Sequence, residues 1–197
     1  MAISKACALI MFEKGKTSLL IFYDKIKTMR PKCILFAGPV GCSKTPVAYY
    51  LSWNLGLPIF NNDTIRTEVA EDKLEYIPQD PEYLRRKDER VKELLAMKRS
   101  FISDASIDRD WKSVIQTLDE HGFDYFIISY NLPKEKLIKM DKAKNYGNNE
   151  GLINKWHADH EKFLAESGSI VGLNIDDNNF GNRLQQSLKV VKAFLED

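Results

Sequence analysis

The sequence predicts a parallel α/β fold, a sheet of five strands sandwiched by helices, and three observations lead there. Short apolar runs of strand length alternate with longer stretches of helical periodicity from Cys33 to the C-terminus. A glycine-bearing segment, Gly38-Pro39-Val40-Gly41-Cys42-Ser43-Lys44-Thr45, joins the first such run to the first such helix. Carboxylates, Asp63 and Asp104, stand at the ends of the next two strand-length runs, where parallel sheets collect their working groups.

The elements follow in order. Cys33-Ile34-Leu35-Phe36-Ala37 is short, apolar and reads as a buried strand, and the helix after it runs from Lys44 to Leu55, stopped by Gly56. Leu57-Pro58-Ile59-Phe60-Asn61 is the second strand, and Asn62-Asp63-Thr64-Ile65-Arg66 opens the second helix. A charged amphipathic helix spans Pro81 to Lys98, followed by Ser100-Phe101-Ile102-Ser103-Asp104 as the third strand and a helix from Asp108 to His121. Tyr125 to Tyr130 and Ser169 to Ile175 complete the strands. The closing helix, Asn182 to Leu195, turns Leu184, Leu188, Val191 and Leu195 inward. There is no internal repeat and no low-complexity segment. Ahead of the first strand, Leu19, Leu20, Phe22, Tyr23 and Ile26 lie at near-helical spacing and end before Arg30-Pro31. Residues 1–28 are therefore expected to be an accessory amphipathic helix, with one domain over 29–197.

Composition sets limits. A chain of 197 residues, 44% hydrophobic and 29% charged, buries one good core. Its formal net charge of +1 is too small for a protein that grips a nucleic-acid backbone by its overall field. The three cysteines, Cys7, Cys33 and Cys42, have no metal or redox spacing and are too few for a disulfide framework, which points to a reducing cytoplasm. No apolar stretch approaches bilayer length, and Glu13-Lys14-Gly15-Lys16 interrupts the run from Ala6 to Phe12 without a cleavage site. Neither a membrane partner nor a signal peptide is expected.

Residues 38–45 match a phosphate-binding loop at every defining position except one, Ser43, which stands where the last glycine is expected. In such a loop successive backbone N–H groups curl around phosphate oxygens at a helix N-terminus, Lys44 reaches the β and γ phosphates, and the Thr45 hydroxyl holds Mg²⁺. Asp63 and Arg66 lie one helical turn apart on one face and can address one ligand group, although Asp63 also reads as a plain helix N-cap. Asp104, leaving an apolar strand beside the loop, is placed to organise the Mg²⁺ shell, or else to cap a turn.

Gly38 to Thr45, then Asn62-Asp63-Thr64-Ile65-Arg66, then Phe101-Ile102-Ser103-Asp104-Ala105-Ser106, resemble the P-loop kinases grouped with AAA-type ATP-binding domains, which include polynucleotide 5′-kinases and zeta-toxin-like kinases. The resemblance covers about residues 31–195 and rests on motif order. It implies an adenylate-kinase-like P-loop NTPase fold with a small helical lid at about 133–150. It also implies ATP and Mg²⁺ as cofactors and transfer of the γ-phosphate to a hydroxyl of a small molecule, a nucleotide or a nucleic-acid 5′ end. Carried over, Asp63 is the general base, Arg66 contacts the acceptor or the transferred phosphate, Asp104 lies by metal and acceptor, and Lys44 serves catalysis.

Three departures stand against a fully active enzyme. Ser43 places a side chain where the backbone must approach phosphate. Pro46 lacks the N–H that commonly reaches the α-phosphate. No arginine occurs from Asp110 through Asn182, leaving Lys136, Lys139, Lys142 and Lys144 as the lid's cations, around a tip at Asn145-Tyr146-Gly147-Asn148-Asn149. These favour a second expectation, a nucleotide-binding module with little or no transferase activity and a regulatory role. His157, His160 and Glu161 are expected to be surface or packing residues rather than a metal site. Arg85 and Arg86 are expected on a salt-laced helix, with acceptor binding as the alternative, and Trp53, Trp111 and Trp156 as packing residues.

Overall fold

Strand β1, Lys32–Ala37, is buried along its whole length because it is the middle strand of a parallel sheet covered on both faces. The structure, a computed structural model, describes residues 30–144 and 150–197, so the expected helix over 1–28 and the lid tip at Asn145–Asn149 fall outside the described residues. The chain divides into two compact units, Met1–Arg30 and Pro31–Asp197, and the second holds the sheet.

Its other strands are β2 (Ile59–Asn61), β3 (Phe101–Ser106), β4 (Asp124–Tyr130) and β5 (Val171–Ile175), in the spatial order β2-β3-β1-β4-β5, and all four pairings are parallel. Among the described residues seven α-helices cover it: α1 (Lys44–Leu55), α2 (Asn62–Lys73), α3 (Pro81–Ala96), α4 (Trp111–Glu120), α5 (Lys134–Ala143), α6 (Glu150–Ser167) and α7 (Arg183–Glu196). Alternation along β1 sends Ile34 and Phe36 into the core with α1 and α7, and Cys33, Leu35 and Ala37 into the core with α3 and α4. Truncating a side chain as enclosed as Ile34, 0% exposed, to alanine is worth about 2–5 kcal/mol.

The five expected strands and the expected parallel order are present, with three local differences. Strand β2 begins at Ile59, since Pro58 has no N–H to give a ladder and offers only its carbonyl, which accepts from the Ile102 amide at 2.9 Å. Strand β3 runs two residues past Asp104 to Ser106, which pairs with Phe36 across a shift in register. Helix α4 starts at Trp111 rather than Asp108, because Asp108 turns back onto the loop after β1. Trp111 packs edge-on against Phe163 as expected, but Trp53 does not pack, being 89% exposed on α1.

Candidate active site

Loop 38–43 is shaped by three residues at positive φ: Gly38 at 139°, Gly41 at 77° and Ser43 at 80°. At Gly38 only glycine fits, since a Cβ there would stand 2.8 Å from the Tyr130 Cβ. Ser43 holds the left-handed conformation without a glycine, at a cost of about 1 kcal/mol. Its hydroxyl accepts from Arg183 Nε at 3.1 Å, so the side chain is held by the first residue of α7. Pro46 sits within the first turn of α1, where the missing N–H has no intrahelical acceptor to lose.

Lys44 donates to the carbonyls of Gly38 and Pro39, both at 2.7 Å, contacts that phosphate oxygens can replace. Burial pushes the Cys42 thiol pKa up, with the Lys44 ammonium opposing, so the thiol is a packing group beneath the loop.

Asp104 meets the loop from β3. Its Oδ1 accepts from Thr45 Oγ1 at 3.2 Å and its Oδ2 from Asn61 Nδ2 at 3.1 Å, which ties three strand exits together through one carboxylate. Burial raises the Asp104 pKa and the nearby Asp63 charge adds to the rise, while the Thr45 hydrogen bond and Lys44 oppose it. A half-buried acid whose charged form is disfavoured is suited to a divalent cation. The Thr45 hydroxyl and Asp104 carboxylate are hard oxygen donors, and Mg²⁺ is ordinarily held by one or two carboxylates together with substrate phosphates. Among the described residues no group of three or more His, Cys, Asp or Glu side chains is gathered as a metal cage.

The capping role expected as one alternative for Asp63 belongs to its neighbour. Asn61 Oδ1 accepts from the amides of Asp63 at 2.8 Å and Thr64 at 3.3 Å, worth about 1 kcal/mol to α2. The Asp63 carboxylate is left 82% exposed and pairs with Arg66, as the one-turn spacing implied. Arg66 Nη2 also donates to the Tyr83 hydroxyl at 3.1 Å and the guanidinium lies 4.7 Å from that ring's centre. Lys44, Thr45, Asp63, Arg66 and Asp104 thus line one cleft of about 660 Å³ with the loop residues.

Two features around the loop, Arg183 and the Asp108–His160 pair, are missing from the sequence expectations, and a third, Lys144, is an expected lid cation that the structure places on the loop. Arg183 lies one residue beyond the interval that holds no arginine, and the strand-exit rule applied to β5 is the signal that points to it. Lys144 is the one expected lid cation that touches the loop, donating to the Gly41 carbonyl at 3.1 Å, whereas Lys136 pairs with Asp177. Asp108 accepts from the Gly38 amide at 3.1 Å and from His160 Nδ1 at 3.0 Å, and His160 Nε2 faces Ser129 Oγ at 3.4 Å. Nothing local in the sequence joins Asp108 to a histidine 52 residues away. His160 is buried, as a packing residue is expected to be, and Arg85 and Arg86 are taken up by Glu82, Glu89 and Asp72.

No family model and no curated protein matches the chain. Solved structures do. A gluconokinase from Sinorhizobium meliloti superimposes with a TM-score of 0.57 at 14% identity, over 85% of this chain and 95% of that one. A shikimate kinase from Acinetobacter baumannii, in complex with shikimate, gives 0.54 at 18% identity, over 86% and 97%. A chain of the Pnkp1/Rnl/Hen1 RNA repair complex gives 0.59 at 20% identity, over 69% of this chain and 46% of that one. At these identities the likeness is one of architecture, and it agrees with the strand order and the loop after β1: this chain has the adenylate-kinase-like fold of the P-loop kinases.

Proposed function

We propose that the chain is an ATP-dependent phosphotransferase that moves the γ-phosphate to a hydroxyl of a small molecule, a nucleotide or a nucleic-acid 5′ end. The observation that carries the reading is the Thr45–Asp104 hydrogen bond at 3.2 Å, because it brings the phosphate-loop hydroxyl and a strand-exit carboxylate into one cation-ready pair. Gly38 to Thr45 supply the nucleotide site, and Lys44 exchanges the Gly38 and Pro39 carbonyls for phosphate oxygens. Thr45 and Asp104 would hold Mg²⁺, which supplies charge neutralisation on the phosphates when bound.

Asp63, exposed and freed from capping, orients the acceptor hydroxyl and takes its proton as the oxygen bonds to the γ-phosphorus and the bond to the ADP oxygen breaks. Arg66, held by Asp63 and Tyr83, presents its charge to the transferred group. Arg183 and Lys144 supply cationic charge at the loop in place of lid arginines. Within this reading residues 1–28 are an accessory segment, residues 133–150 form the lid, and the protein works in the cytoplasm. No described helix is long and apolar enough to cross a membrane.

A nucleotide-binding module without turnover is the second reading, and the missing Pro46 donor favours it. Mg-ATP at about a hundred times its Kd should stabilise the protein by about 2.7 kcal/mol, a rise of roughly 5–10 °C in Tm for a chain of this size. Lys44→Met should remove most of that rise. Superimposable melting curves with and without nucleotide would contradict both readings; a normal rise without turnover on any hydroxyl acceptor would select the second.

A further inference from the structure

A cavity of about 210 Å³ lies over β3 between α3 and α4 and shares Asn62, Ala105 and Ser106 with the cleft of the nucleotide loop. Its floor is apolar, built from Leu35, Phe101 and Leu118. Two polar groups on its wall lack partners among the described residues. The Oδ1 of Asn62 is shut off from solvent without a hydrogen bond among the described residues. Among the described residues the half-buried Lys87 has neither hydrogen bond nor ion pair, although Arg85, Arg86 and Arg90 on the same helix are all paired with acids. A buried carbonyl without a donor and a half-buried ammonium without an anion are features that a ligand satisfies.

We infer that this cavity is the acceptor pocket of the proposed phosphotransfer and that it takes a compact hydroxylated monoanion, a hydroxy acid, rather than a nucleotide or a nucleic-acid end. The inference rests on the phosphotransferase reading above. The chemistry follows from the wall. A ligand hydroxyl donates to Asn62 Oδ1, the carboxylate meets Lys87, and the carbon skeleton covers the apolar floor. Asn62 lines both the cavity and the cleft that holds the proposed base Asp63, so the shared mouth opens toward that base. Size excludes larger acceptors. The volume is below the range of about 300–1,000 Å³ that holds drug-sized ligands, whereas a nucleotide is itself of that size. An oligonucleotide end also needs an open basic track, and Arg85, Arg86 and Arg90 on the helix bordering the cavity are paired with acids instead. In the transfer the acceptor oxygen bonds to the γ-phosphorus, the bond to the ADP oxygen breaks, and the hydroxyl proton passes to Asp63.

The test measures ADP release by the full chain with Mg-ATP and four probe sets: hydroxy monocarboxylates (glycerate, gluconate, quinate), neutral polyols (glycerol, glucitol), nucleosides, and a 5′-hydroxyl oligonucleotide. Turnover is expected with a hydroxy acid and not with the other sets. Lys87→Met should raise the KM for that acid about tenfold or more while leaving the KM for ATP unchanged and kcat within about threefold. Ser113→Leu, which fills the cavity from an exposed position on α4, should give the same split. Turnover of a polyol, nucleoside or oligonucleotide instead, or an unchanged acceptor KM in both variants, overturns the inference and leaves phosphotransfer standing. Binding of Mg-ATP without turnover of any hydroxy acid overturns the inference, and failure to bind Mg-ATP overturns the phosphotransferase reading beneath it.

Discussion

Arg183 Nε donates to Ser43 Oγ at 3.1 Å, so the residue that replaces the last loop glycine is tied to the first residue of α7. The guanidinium also lies 4.2 Å from the centre of the Phe180 ring, and Nη1 donates to the Phe180 carbonyl at 3.0 Å. The serine therefore has a structural use. In trade for about 1 kcal/mol of left-handed strain it anchors a cation over the phosphate loop.

That trade separates two substitutions at one position. Ser43→Gly relieves the strain and loses one hydrogen bond, terms of about 1 kcal/mol each, so Tm should barely move. Ser43→Ala loses the bond and keeps the strain, and should cost about 1 kcal/mol, or roughly 2–4 °C. Thermal unfolding of the three proteins checks this; equal losses for glycine and alanine would show that the left-handed strain contributes nothing, and an unchanged Tm in Ser43→Ala would show that the Arg183 contact contributes nothing.

Asp108 pins the loop from the other side. Its carboxylate, 7% exposed, serves the Gly38 amide and His160, itself 2% exposed, while the Ser106 hydroxyl lies within reach of both Asp108 Oδ2 and the Gly38 carbonyl. Asp108→Ala leaves these buried donors without an acceptor and should destabilise the protein by about 1–3 kcal/mol. Amide hydrogen exchange should quicken at Gly38 to Gly41 more than in β4. Uniform quickening across the sheet would mean that Asp108 supports the domain as a whole and not the loop.

Asp104 gives a pH signature. Burial raises its carboxyl pKa, so the folded chain holds this proton more tightly than the unfolded chain does, and the site's contribution to stability falls as pH rises from the ordinary carboxyl range through the raised value. Without Mg²⁺, the stability of Asp104→Asn relative to the parent should grow from about pH 4 to about pH 7 in denaturant titrations. With saturating Mg-ATP the order should reverse at neutral pH, because the cation needs the ionised carboxylate. Parallel pH curves for the two proteins would contradict a raised pKa at this carboxyl.

Much of the fold was legible because its signals are local. β1 and β4 are apolar runs of strand length, and Gly56 ends α1 in a left-handed cap. Lys44, Thr45, Asp63, Arg66 and Asp104 were legible from order alone, since a parallel sheet delivers its strand exits to one edge. Asp108 with His160, and Ser43 with Arg183, were not, because each pair is made by packing distant elements and nothing beside either residue names its partner. Asp63 was readable as a helix cap or as an acid facing a ligand, and Asn61 takes the capping role from it while its carboxylate pairs with Arg66.

The central claim is that Asp63 receives the acceptor proton while Lys44, Thr45 and Asp104 hold the nucleotide. It is tested most directly by acceptor-dependent ADP release and ATP affinity, measured together on the parent and on Asp63→Asn. The parent should turn over, the variant's kcat should fall about a hundredfold or more, in keeping with the usual contribution of a positioned base, and its ATP Kd should stay within about twofold. Equal turnover by Asp63→Asn, or loss of ATP binding alongside loss of turnover, would contradict the claim.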